Sequence, residues 1–140
     1  MFVILDTNHY RELAGRTVMG QALDARLEAE GCDVFTSIVT IQEVAQGWLA
    51  EINRRPAGRD QLKAYSQFQQ AITSFEGITI LPFDEEAADA FHRLQNLKLR
   101  VGTMDLKIAA IALSHAALLL SRNLVDFTRV PGLRVENWLD

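Results

Sequence analysis

"FVILDTNHY", residues 2–10, is the stretch on which the reading of the whole chain turns. Its apolar residues, Phe2 to Leu5, run without a break into Asp6, Thr7, Asn8 and His9. A run this short, bounded by polar residues, reads as a strand covered on both faces. A carboxylate at the end of such a strand is costly to desolvate without a partner. Asp6 must therefore be stabilised there, or put to use.

Similar short apolar runs recur at Val34 to Thr36, Ile78 to Leu81 and Leu118 to Leu120, with a weaker one at Leu133 to Val135. Between them lie helical stretches, the clearest being Ile38 to Asn53, Asp60 to Phe75, Glu85 to Leu99 and Met104 to Ala116. The segment "NRRPAGRD", with Pro56 and Gly58, separates the first two of these. Asp84 in "LPFDEEAADAF" is placed as an N-cap with acids in the turn that follows, and "VGTMD" offers Gly102 as a break with Thr103 as the next N-cap. Strands alternating with helices predict an α/β fold with a mainly parallel sheet covered on both faces. No repeat, low-complexity tract or long linker interrupts the pattern, so a single domain over residues 1–140 is expected. In such sheets the functional crevice lies beyond the carboxyl ends of the strands.

Bulk properties narrow the function classes. The chain has 140 residues, 49% of them hydrophobic, enough for a real core. A net charge of -4 excludes a global basic field of the kind that drives non-specific nucleic-acid binding, so any such contact must be local. The single cysteine, Cys32, has no internal partner, fits a reducing compartment and is expected as a small buried side chain. The amino terminus carries no basic-then-apolar leader, and no apolar run approaches the roughly 18 residues of a membrane span. A cytoplasmic protein without a membrane partner is expected.

The strand-end rule gathers acids at one edge. Asp6 ends the first strand, while Ser121, Arg122, Asn123 and Asp126 follow the Leu118 to Leu120 strand and emerge at the same edge. Asp105 stands in the first turn of "TMDLKIAAIALSHA", at the head of the face that carries Ile108, Ala109 and Ala112 inward. Carboxylates converging at a partly buried edge repel one another unless a cation is present. A hard divalent ion, Mg²⁺ or Mn²⁺, takes such oxygen ligands. The implied chemistry is metal-assisted phosphoryl transfer or hydrolysis.

Each acid also has a plain structural reading. Asp6 would serve as a cap for Asn8 to Leu13, Asp105 as a dipole-complementing acid, and Asp126 as a cap of a short turn. Glu43 lies nearly opposite the stripe of Ile41, Val44, Ala45, Trp48 and Ile52, so periodicity alone puts it in solvent. Val39, Gly47 and Ala50 share its side, which is therefore not plainly polar. His9, His92 and His115 lack zinc-type spacing and read as surface or packing residues. No phosphate-binding Gly-rich loop and no nucleophile elbow is present. Arg54, Arg55, Arg59 and Lys63, with Arg93, Lys98 and Arg100, read as solvated helix faces. All seven are also candidates for phosphate contacts, with Arg54, Arg55 and Arg59, together with Arg122, placed first for RNA.

"ILDTN", "SIVTIQEV", "GTMDLKIAAIAL" and "LLSRNLVDFTRVPGLRVENW" together resemble the PIN domain, and more closely the VapC-type ribonuclease toxins of bacterial toxin-antitoxin pairs. The likeness extends in order over almost the whole chain. It implies a three-layer α/β/α sandwich with a mainly parallel sheet and an acidic pocket that binds Mg²⁺ or Mn²⁺ and cuts RNA. Carried over position by position, Asp6, Glu43 and Asp105 are the metal-binding acids, and Asn123 and Asp126 complete the same pocket, binding a second metal or orienting the attacking water. Relatives often carry an acid at position 8, where this chain has Asn8, and at position 123, where Asn123 is a neutral oxygen ligand. The resemblance also implies a homodimer and a cognate antitoxin that masks the site. The rival of another class is a catalytically silent PIN-like module that binds RNA or protein. A phosphatase of the haloacid dehalogenase type wants an Asp in place of Asn8, and a receiver-type pocket wants an acid pair that is absent.

Overall fold

Phe2–Leu5 forms strand β1, and a computed structural model describing residues 1–140 places it at the centre of a five-stranded sheet. The other strands are β2 (Asp33–Ser37), β3 (Thr79–Leu81), β4 (Leu118–Leu120) and β5 (Arg134–Glu136). Their order is β3-β2-β1-β4-β5 and every pairing is parallel. The helices are α1 (Thr7–Ala14), α2 (Val18–Ala29), α3 (Ile38–Asn53), α4 (Leu62–Ser74), α5 (Glu85–Asn96), α6 (Thr103–Ser114) and the short α7 (Leu124–Phe127).

Strand alternation divides the core into two halves. Ile4 and Leu119 point to one face, where they meet α5, α6 and Phe127 of α7. Val3, Leu5, Leu118 and Leu120 point to the other, against Tyr10 of α1, Leu23 and Leu27 of α2, Val44 of α3 and Trp138. Val3, Ile4 and Leu5 are wholly enclosed, which is why β1 carries no polar residue on either face. Helices cover both faces of the sheet, so the molecule is a three-layer α/β/α sandwich. No helix is long and apolar enough to cross a membrane.

The topology puts a switch point between β1 and β4. The chain moves outward from β1 through β2 to β3, then returns to the other side of β1 for β4 and β5. The two βα connections at the centre therefore part company and leave a crevice at the carboxyl ends of these strands. Asp6 N–H donates to Leu120 O at 3.1 Å, carrying the pairing of β1 with β4 to the lip of that crevice.

Some details depart from the sequence reading. Helix α2 is missed by it, since only Leu23 and Leu27 give it a buried stripe of any size and Val18 and Met19 are exposed. The stretch from Asp60 to Phe75 is α4 flanked by 3-10 turns at Arg59–Gln61 and Phe75–Gly77. Helix α5 stops at Asn96, because Lys98 turns into the left-handed region. Thr103 is not the cap of α6 but its first residue. Gly102 occupies the extended N-cap position and its carbonyl accepts from Leu106 N–H at 2.9 Å, so no side chain caps this helix. Cys32 is half-buried against the core rather than enclosed, since it follows the turn at Gly31, just before the amino end of β2.

Candidate active site

The crevice is built from four places in the chain. Asp6 closes β1 and caps α1, its Oδ1 accepting from His9 N–H at 3.0 Å. An aspartate in extended conformation just before a helix suits this bond well, so the plain reading of Asp6 as a cap holds. It does not exhaust the residue, because capping uses one carboxylate oxygen and leaves the other.

Glu43 comes from the second turn of α3, where Thr7 Oγ1 donates to its Oε1 at 2.7 Å. It is half-buried, and the expectation of a solvated glutamate is corrected here. The reason is that α3 touches α1, α4 and α6 as well as the sheet. A helix covered on several sides has no single polar face, so a one-stripe wheel misplaces its residues.

Asp105 enters from the first turn of α6, above a face on which Ile108, Ala109 and Ala112 are enclosed. Asn123, the residue before α7, donates from Nδ2 to Asp105 Oδ2 at 3.1 Å and to Asp126 Oδ2 at 2.9 Å. The amide thus bridges two acids through its nitrogen, while its oxygen accepts no hydrogen bond from the protein. Its own N–H is held by Ser121 Oγ at 2.9 Å. Asp126 is further tied by Arg129, whose Nη1 lies 3.0 Å from Oδ1 and also donates to Arg100 O at 2.7 Å.

The hydrogen bonds sort the acids. Asp6 Oδ2, Glu43 Oε2 and Asp105 Oδ1 accept nothing from the protein, whereas both oxygens of Asp126 are taken. Since no fully enclosed side-chain oxygen lacks a partner, the three free oxygens reach solvent. Burial pushes the Asp105 carboxyl above its ordinary range; the Asn123 bond opposes this, and the charges of Glu43, Asp6 and Asp126 raise it further. These acids therefore share one electrostatic environment with too much negative charge. They form an open rim, for no three acids, histidines or cysteines close into a ready-made metal cage. The donor set, all carboxylate oxygen, suits a hard divalent cation.

The arginines are distributed differently from the expectation. Arg54 and Arg55 both pair with Glu51 at the far end of α3, about 16 Å along the axis from Glu43. Arg122 pairs with Asp140, and Arg59 lies exposed in its 3-10 turn. Arg11, which the sequence reading passes over, sits on α1 one turn beyond Thr7 with its guanidinium against Gly47. Thr7, His9 and Arg129 are also missed. The only local signal for Thr7 and His9 is their position in the turn that follows Asp6. A cavity of about 550 Å³ between α1, α2 and the Ser74 to Ile78 turn is lined by none of Asp6, Glu43, Asp105 and Asp126.

Comparison with known proteins adds an independent line. The PIN domain family profile matches residues 3–133. A segment of 61 residues is 41% identical to Ribonuclease VapC1 of Rickettsia felis; it takes in 41% of this chain and 46% of that protein, so the match spans less than half of the relative's length. Among solved structures, VapBC2 from Rickettsia felis bound to a DNA fragment from its promoter aligns over 99% of both chains, with a TM-score of 0.75 and 22% identity. VapBC-1 from nontypeable Haemophilus influenzae aligns over 100% of both, with a TM-score of 0.73 and 20% identity. At these identities the structural likeness speaks for the fold.

Proposed function

The chain belongs to the PIN domain family, and from that premise we propose that it is a divalent-metal-dependent endoribonuclease of the VapC toxin type. One observation carries the reading. Three acids from separate elements, Asp6, Glu43 and Asp105, each keep one carboxylate oxygen free at the switch-point crevice, and their charges press on one another. These three residues would hold Mg²⁺ or Mn²⁺. Such an ion, when bound, supplies Lewis-acid polarisation of the scissile phosphate and a more acidic water.

The protein's own groups supply the rest. Thr7 holds Glu43, and Asn123 holds Asp105 and Asp126 in fixed relation. Asp126, already engaged by Asn123 and Arg129, orients the attacking water and lines the pocket. The open rim admits a polymer, and its target is single-stranded or loop RNA, whose bases are accessible. Because the acids repel phosphate, RNA must be held by local cations. Arg129 already touches Asp126, Arg11 lies one turn beyond Thr7 on α1, Arg122 directly precedes Asn123, and Arg59 is exposed and unpaired; Arg54 and Arg55 serve only if RNA displaces Glu51. The solved relatives named above are VapBC assemblies, which supports a cognate antitoxin whose cationic segment meets the acidic rim. A homodimer in the cytoplasm belongs to the same reading.

The test is incubation of the purified chain with structured RNAs and Mg²⁺ or Mn²⁺, beside Asp6→Ala and Asp105→Ala. Cleavage by the parent and none by the variants is expected. Cleavage surviving both substitutions would overturn the assignment, and a parent that cuts no RNA would favour the silent binding module. A second expectation needs no substrate. Mg²⁺ at about a hundred times its dissociation constant should stabilise the fold by about 2.7 kcal/mol. The melting temperature should rise by several degrees, fall back on chelation and fail to move in either variant.

A further inference from the structure

His9 is the most enclosed titratable side chain at the site, with no exposed surface. A buried imidazole is costly unless both ring nitrogens find partners, and here both do. Nε2 lies 3.2 Å from the backbone nitrogen of Trp138, a residue 129 positions away in the chain. A backbone N–H only donates, so Nε2 accepts and carries no proton. The proton of a neutral ring then sits on Nδ1, which lies 3.2 Å from Asp6 Oδ1 and donates to it. Nδ1 is thus the ring's donor toward the Asp6 carboxylate and Nε2 its acceptor from Trp138.

Asp6 Oδ1 thus receives two donors from one residue, the backbone N–H of His9 at 3.0 Å and its ring N–H at 3.2 Å. Capping α1 requires only the first. The second fixes the carboxylate's rotation and commits Oδ1 to the protein, leaving Oδ2 as the oxygen that faces the crevice. The Trp138 end of the arrangement is itself braced. Its ring is stacked by Arg26, with the guanidinium carbon 3.8 Å from the ring centroid, and its Nε1 donates to Glu136 Oε1 at 3.2 Å. Glu136 O in turn accepts from Ser121 N–H at 3.0 Å, beside the Asn123 end of the same crevice.

We infer that His9 is a positioning residue: held by the Trp138 backbone, it fixes Asp6 so that Oδ2 is presented for a divalent cation. The inference rests on the proposed role of Asp6 as a metal-binding acid. Ligand carboxylates oriented by a second hydrogen-bonding group bind metal more tightly, and loss of such a group lowers affinity roughly 10- to 100-fold.

Two substitutions separate the two ends of the ring. The amide nitrogen of Asn overlays Nδ1, so His9→Asn keeps a donor for Asp6 and loses Trp138. The amide of Gln overlays Nε2, so His9→Gln keeps an acceptor for Trp138 and loses Asp6. Calorimetric titration of the full chain with Mn²⁺ should show affinity reduced roughly 10- to 100-fold in His9→Gln but within about threefold of the parent in His9→Asn, whatever their melting temperatures. Parallel affinity in the parent and His9→Gln overturns the inference, as does equal weakening in both variants. Asp6→Asn serves as the reference. If it lowers Mn²⁺ affinity while His9→Gln does not, only the role of His9 fails. If it binds as the parent does, or the parent binds no Mn²⁺, the metal reading fails and takes this inference with it. Should either His9 variant not fold, ¹⁵N spectra of the parent's histidine rings decide: a bare Nε2 and protonated Nδ1 are expected, and the opposite tautomer overturns the proposal.

Discussion

Asp105→Asn is expected to abolish metal-dependent RNA cleavage and, in the presence of a chelator, to melt at a higher temperature than the parent. The two effects have one cause. Asp105 is half-buried among the charges of Glu43, Asp6 and Asp126, and only the Asn123 amide favours its ionised form. An asparagine is the same size, keeps a carbonyl oxygen for the Asn123 donor and removes the repulsion. Because the site is partly solvated, the gain is held to about 1 kcal/mol, or roughly 3 °C. Activity should fall roughly 100- to 1,000-fold or more, the scale of losing one preorganised electrostatic group.

The pH dependence has a definite sign. The carboxyl of Asp105 has a higher pKa folded than its ordinary 3.8, so in the interval above 3.8 the folded chain holds more protons than the unfolded one. Stability contributed by this group is then lost as pH rises through the folded value. The melting difference between Asp105→Asn and the parent should be absent below the ordinary value, open as pH rises and persist to neutrality. Saturating Mg²⁺ should reverse the order, since only the parent gains from binding. Cleavage at the parent's rate, or a chelated difference that does not change with pH, would refute this account.

Gly20→Ala is expected to be the most damaging small substitution in the chain. Gly20 lies in the first turn of α2 against the backbone of α1, and an added Cβ would fall 1.8 Å from Glu12 O and 2.5 Å from Glu12 C. Backbone atoms cannot rotate aside as a side chain can, so the two helices must separate. Tyr10, Leu23 and Leu27 would then lose their packing on β1 and β4, and Thr7 and His9 would be displaced on the same helix as Asp6's cap. Overpacking of this severity costs about 3 kcal/mol or more. The melting temperature should drop by roughly 10 °C. Gly77→Ala is the control, because a Cβ there meets nothing within 4 Å and should leave stability within about 0.5 kcal/mol. Equal stability of the two variants in denaturant titrations would show that the helices are less closely apposed than described.

How much of this is legible in the chain itself depends on the range of the signal. Short apolar runs at Phe2, Val34, Ile78, Leu118 and Leu133 each mark a strand to within a residue or so, most cleanly at β1 and β4, where Val3 to Leu5 and Leu118 to Leu120 are enclosed on both faces. Asp6 and Asp105 can be drawn to one edge from sequence, since a strand end and a helix start both have directions that topology converts into position. Helix α2 escapes the same reading because two leucines four apart are too narrow a stripe to register.

By itself, then, the sequence determines the layers, the strand ends and the acidic character of the crevice, all of which follow from local periodicity and from the cost of burying a charge. Tertiary structure alone decides the rest. Glu43 becomes half-buried because α3 is covered on several sides, and Asn123 turns its nitrogen rather than its oxygen toward Asp105 and Asp126. Gly20 is required by a backbone on another helix. His9 takes its tautomer from Trp138, and no local pattern can encode a hydrogen bond across 129 positions. Periodicity reports which face of an element is covered; it carries no record of which distant group a covered polar atom finds there.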